Sequence, residues 1–103
     1  MQSVSSSAME PFPRHIRELR TRIFGKQIVL AIGVGCTDAA VSQWESGQRL
    51  PSLAVLSKIL ESFRVAGARP TEIAELRQAW LVSAVARTSP RTRYFVAESN
   101  RST

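Results

Sequence analysis

Gly35 breaks the stretch Gln27–Ser46 in two, and this stretch most constrains what the chain can fold into. Leu30, Val34, Cys36, Val41 and Trp44 recur at spacings that turn two short helices toward one core. Ala31 is small where two helices have to cross closely. Gly35 stands where the chain must turn sharply, and glycine takes a positive φ at little steric cost. Thr37 is placed to cap the second helix through its hydroxyl, and Asp38 suits the positive end of its dipole. Ser46 and Gly47 end that helix at about Glu45.

The flanking segments read as helices as well. Ile16, Leu19 and Ile23 give a first helix from Arg14, interrupted by Gly25. Ser52 caps a fourth, with Leu53, Leu56, Ile59, Leu60 and Phe63 on one stripe. Gly67 and Pro70 mark the next loop, and Thr71 is expected to cap a fifth helix carrying Ile73, Leu76, Trp80 and Ala84. Leu81, Val82 and Val85 widen that stripe beyond what a surface helix needs. After Arg87 the composition turns to Ser, Thr and Arg, with a short strand-prone patch at Arg93–Val96. The expectation is an all-α, compact five-helix domain over 12–87, with a disordered arm at 1–11 and a mobile basic tail at 88–103.

A chain of 103 residues supplies one domain, too small to fit a large catalytic pocket easily. Cys36 is the only cysteine and His15 the only histidine, so an internal disulfide and a cysteine- or histidine-based metal cluster are excluded. Cys36 reads as a core residue and His15 as a surface one. No apolar run approaches the ~20 residues that span a bilayer, and residues 1–10 lack the basic start and apolar stretch of a signal peptide. The expected setting is reducing and cytoplasmic. Nothing assembles a catalytic set, so neither an enzyme nor a cofactor is expected.

The charge balance points to a partner. Fourteen basic residues against eight acidic ones leave +6, and twelve of the fourteen are Arg. Residues 14–26 and 64–103 each carry a net +4, whereas 27–63 carries −1. Such blocks suit a polyanion, most simply nucleic acid; a solvated Arg-rich surface is the plain alternative.

The paired helices around Gly35 meet the steric demands of a helix-turn-helix unit, whose second helix enters a DNA major groove ~12 Å wide. Ile16-Arg17-Glu18-Leu19-Arg20, Gln27 with Leu30-Ala31, Val41-Ser42-Gln43-Trp44-Glu45-Ser46-Gly47 and Arg49-Leu50-Pro51-Ser52-Leu53 together resemble the lambda-repressor-like, Cro-type (xenobiotic-response-element) family, from Ile16 to Phe63. The resemblance implies a five-helix domain that binds double-stranded DNA, usually as a dimer at a palindromic operator. It also implies an ion pair between Arg20 and Glu45. The sequence departs from the family at Lys26, where Ser or Thr usually caps the second helix, at Gly33 inside that helix, and at apolar Ile28, Val29 and Ile32.

Residue chemistry then assigns roles. Lys26, Gln27, Ser46 and Arg49 are expected on phosphates, with the free N–H groups that open the second helix. Thr37, Asp38, Ala39, Ser42 and Gln43 are expected on bases. Gln43 suits adenine and Ala39 a thymine methyl, and Asp38 serves equally as an N-terminal acid. Trp80, Leu81, Val82 and Val85 are expected in a homodimer interface, with completion of the monomer core as the alternative for Trp80. The outer face of the second helix is expected to be covered by Tyr94-Phe95-Val96 of the tail, by Phe12, or by a protein partner. The sequence thus predicts a DNA-binding transcriptional repressor, nucleoid-associated when bound, since 103 residues leave no room for a separate sensing domain. An antitoxin-like protein that binds a toxin and autoregulates its operon is the alternative.

Overall fold

The computed structural model describes residues 10–102, and side chains through Thr88. Five helices follow in order: α1 Phe12–Ile23, α2 Gln27–Val34, α3 Asp38–Ser46, α4 Leu53–Val65 and α5 Pro70–Ser102. There is no strand among the described residues. α3 packs on α1 and α2, α4 on α2, and α5 on α1 and α4. One face of α3 is thereby left outside the bundle.

Local chemistry sets most helix ends. Gly35 takes φ +86° after α2, and the amides of Gly35 and Cys36 both return to the Ala31 carbonyl, at 2.8 and 2.9 Å. Thr37 Oγ1 accepts from the Ala40 amide at 3.1 Å and Ser52 Oγ from Val55 at 3.2 Å, the N-caps of α3 and α4. α2 has no such cap: Lys26 occupies the position without a side-chain bond.

The core joins Ile16, Leu19, Leu30, Ala31, Val34, Val41, Trp44, Leu56, Ile59, Phe63, Leu76 and Ala79. Phe12 belongs to it too and is fully buried. α1 therefore begins two residues before the expected Arg14, and Phe12 is spent on the core instead of on the outer face of α2. Burying that helix start strands the Phe12 amide, which no residue within α1 can accept. Ser83 of α5, itself fully buried, takes it at 3.0 Å. Pro13, next along, has no amide to satisfy.

Three further expectations are corrected. Leu53, placed on the α4 stripe, is 64% exposed because it occupies the first position of the helix, above the core. α5 starts at Pro70, ahead of Thr71, and its cap is a carboxylate: Glu72 Oε1 accepts the Arg69 amide at 2.9 Å. Its helix also runs on through Ser102, so the expected boundary at 87/88 falls inside α5, and Arg93–Val96 are helical. That stretch has no glycine to provide a left-handed stop, and a lone strand has nothing to pair with. The side chains of Tyr94, Phe95 and Val96 lie outside the described residues, as does the arm before Glu10.

Gly33 lies against α4. A Cβ there would stand 3.4 Å from Ser62 Oγ, and that hydroxyl donates to the Gly33 carbonyl at 3.0 Å.

Candidate nucleic-acid interface

α3 divides sharply by burial. Val41, Trp44 and Glu45 are buried, whereas Thr37, Asp38, Ala39 and Ser42 are exposed and Gln43 is half-buried at the edge. Positions 38, 39 and 42 lie three and four residues apart and so share the outward face.

The inward face is locked by a charged network. Arg20 of α1 presents its guanidinium to Glu45 as a fork, Nε to Oε2 at 2.7 Å and Nη2 to Oε1 at 2.6 Å. The two side chains are only 11% and 5% exposed. The bonds to Glu45 raise the pKa of Arg20 above its ordinary value, outweighing the opposing effect of burial. Its Nη1 donates to the Gly25 carbonyl at 2.8 Å, fixing the turn between α1 and α2. Gln27 adds a third bond to Glu45, Nε2 to Oε1 at 3.0 Å. Sequence reasoning assigned Gln27 to a phosphate alone and missed this bond. One of its amide hydrogens is committed here, and the other remains for a ligand. The effect is to fix the opening of α2 and the end of α3 on a single carboxylate.

The C-terminal end of α3 has its own anchors. Gly47 takes φ +84°. The Ser46 hydroxyl donates to the Gln43 carbonyl at 3.2 Å and accepts from the Gln48 amide at 3.4 Å, so both its functions are in use. The Arg49 amide also returns to the Gln43 carbonyl, at 3.2 Å, leaving the Arg49 side chain exposed. Lys26 is exposed at the opening of α2. Arg87 of α5 donates to the Gly47 carbonyl and pairs with Glu10. This contact was missed, since no local pattern links position 87 to position 47.

Elsewhere the apolar residues separate into two groups. Trp80 is half-buried against the core, and its indole Nε1 donates to the Pro51 carbonyl at 2.8 Å. It therefore completes the monomer core and leaves the expected interface to Leu81, Val82 and Val85, all exposed. Ile28, Val29 and Ile32 on α2 are exposed too, Ile32 by 73%. Cys36 is half-buried against the core, and burial pushes its thiol pKa up. No group of His, Cys, Asp and Glu among the described residues is arranged to hold a metal ion. No described helix is long and apolar enough to cross a membrane.

A helix-turn-helix family model matches residues 16–68, about half of the chain, from the second turn of α1 through the end of α4. No curated protein and no solved structure matches it significantly. The match covers the locked and the outward faces of α3 together, and the chain belongs to the Cro-type (xenobiotic-response-element) helix-turn-helix family of DNA-binding transcription regulators.

Proposed function

We propose that the protein is a sequence-specific repressor that acts inside the cell as a two-fold dimer at a palindromic operator, with α3 as its reading helix. The observation that carries this reading is the split of α3: three residues locked inward, and a row of small and polar side chains facing out. Gln43 bonds adenine N6 and N7 together, a contact that discriminates by ~1–3 kcal/mol. Ala39 packs on a thymine methyl, while Thr37, Asp38 and Ser42 complete the reading face. Lys26, Arg49 and the second amide hydrogen of Gln27 take phosphates, and Ser46 supports them by holding the turn to Arg49. Leu81, Val82 and Val85 pair two copies, setting the reading helices about one DNA turn (~34 Å) apart. Selection from random duplex DNA tests the whole reading. It should enrich a palindrome, and Leu81→Asp or Val85→Asp should abolish both the dimer in sedimentation and the palindrome. Enrichment of no sequence would sink it.

A second reading, an antitoxin-like protein that also holds a toxin, has one observation in its favour. Among the described residues two apolar faces are exposed, on α2 and on α5, one more than a dimer through α5 uses. Co-expression with the product of the adjacent reading frame distinguishes the two: a stable complex disrupted by Ile32→Asp supports the antitoxin, and no complex leaves the repressor.

A further inference from the structure

Three residues outside the family-matched stretch 16–68 converge on Gly47, the residue that closes the reading helix. Nη2 of Arg87, from α5, donates to the Gly47 carbonyl. The same nitrogen lies 2.9 Å from Oε1 of Glu10, ahead of α1. Pro13, in the first turn of α1, places its Cγ 3.6 Å from where a Cβ on Gly47 would stand. The Arg87 side chain is 27% exposed and that of Glu10 30%, so the contact is partly withdrawn from water and retains more of its strength than a surface pair. Its charge sits beside the negative end of the α3 dipole.

We propose that Arg87, oriented by Glu10, is a positioning residue for DNA recognition: it fixes the C-terminal end of α3, and so the angle at which the outward face meets base edges. The Arg20–Glu45–Gln27 network holds the inward side of α3 but reaches no further than Glu45. Beyond it the chain turns through Gly47 to Arg49, and among the described residues Arg87 is the side chain from another helix bonded to that turn. Through it α5 acts on α3. The inference rests on α3 being the reading helix, and it assigns Arg87 no phosphate of its own.

The test compares wild type, Arg87→Met, Glu10→Gln and Arg49→Ala on the duplex that wild type enriches from random DNA, titrated at several salt concentrations. Met keeps the apolar stem of Arg87 and removes its donors. Arg87→Met should weaken binding about tenfold, as expected for a lost charge-assisted hydrogen bond, and Glu10→Gln, which removes the charge of the ion pair, about two- to fivefold, each with the salt slope unchanged. Arg49→Ala should reduce that slope by about one. The sign for Glu10 is decisive, because removing an acid near DNA strengthens binding if only charge matters.

Amide hydrogen exchange on the free protein gives a readout independent of DNA. Residues 47–49 should exchange faster in Arg87→Met, while Ala40 and Val41 at the other end of α3 stay as in wild type. If Arg87→Met fails to fold, Glu10→Gln carries the same comparison. A slope lowered by Arg87→Met, or tighter binding by Glu10→Gln, overturns the proposal and makes Arg87 a phosphate contact. Should wild type enrich no duplex, the reading-helix assignment fails on its own. Unchanged protection at residues 47–49 then overturns the clamp as well, and faster exchange sustains it.

Discussion

Removing one partner of the Arg20–Glu45 pair should destabilise the domain severely, and removing both should cost far less. Arg20→Met keeps the stem of the side chain and deletes three donated bonds, two to Glu45 and one to the Gly25 carbonyl. What remains is a carboxylate only 5% exposed, with Gln27 as its single partner. Stranding a buried charge in this way costs ~3–5 kcal/mol, a large share of the ~5–15 kcal/mol that holds a small domain folded. At ~4–8 °C per kcal/mol for a chain of this size, Tm should fall by at least ~12 °C. In Arg20→Met/Glu45→Met no charge is left buried, and Gln27 and the Gly25 carbonyl, both at the margin of the core, turn to water. The double variant should regain most of the loss, giving a coupling of at least ~2 kcal/mol in a double-mutant cycle. Urea unfolding followed by circular dichroism measures all four proteins. Single-variant losses below ~1 kcal/mol that simply add would refute the reasoning and reduce the pair to a surface ion pair.

Ser83→Ala should lower stability by ~1–3 kcal/mol, because the buried Phe12 amide loses its acceptor; an unchanged Tm would mean that the α1 start opens to water. Gly33→Ala should raise stability by up to ~1 kcal/mol in thermal unfolding, since the new Cβ meets Ser62 Oγ at an ordinary contact distance. A fall in Tm would show that Ser62 cannot give way. Burial raises the Cys36 thiol pKa, so its contribution is complete below the unfolded thiol's value, ~8.5, and is lost as pH rises through the folded value. Wild-type stability should therefore decline above about pH 8.5, and Cys36→Ala should remove that part of the decline.

Signals contained within a few residues are legible in the sequence alone. The αL stops at Gly35 and Gly47 and the caps at Thr37 and Ser52 depend on neighbours two or three positions away, and these fixed α2, α3 and the start of α4. Contacts chosen by tertiary packing were not readable. Nothing around Phe12 announces that a serine 71 positions later will accept its amide, and nothing around Gly33 announces that Ser62 will donate to its carbonyl. Trp80 shows how an apolar surplus misleads: its ring lies against the core because its indole N–H finds the Pro51 carbonyl there. At the site, the outward face of α3 followed from its helical period, whereas Gln27 on Glu45 and Arg87 on Gly47 join residues 18 and 40 positions apart. The helical path of α5 past Arg87 was not legible, because the Ser, Thr and Arg of that segment carry no apolar stripe at helical spacing.

The claim on which the rest depends is that the outward face of α3 reads bases while Lys26 and Arg49 only hold the backbone. Base preference at every operator position, measured by selection for wild type, Gln43→Ala and Arg49→Ala, tests it most directly. Gln43→Ala should flatten the preference at one position in each half-site, by ~1–3 kcal/mol of discrimination, and leave the others intact. Arg49→Ala should weaken all sequences alike. An unaltered profile for Gln43→Ala, or a position-specific change for Arg49→Ala, would contradict the assignment of α3 as the reading helix.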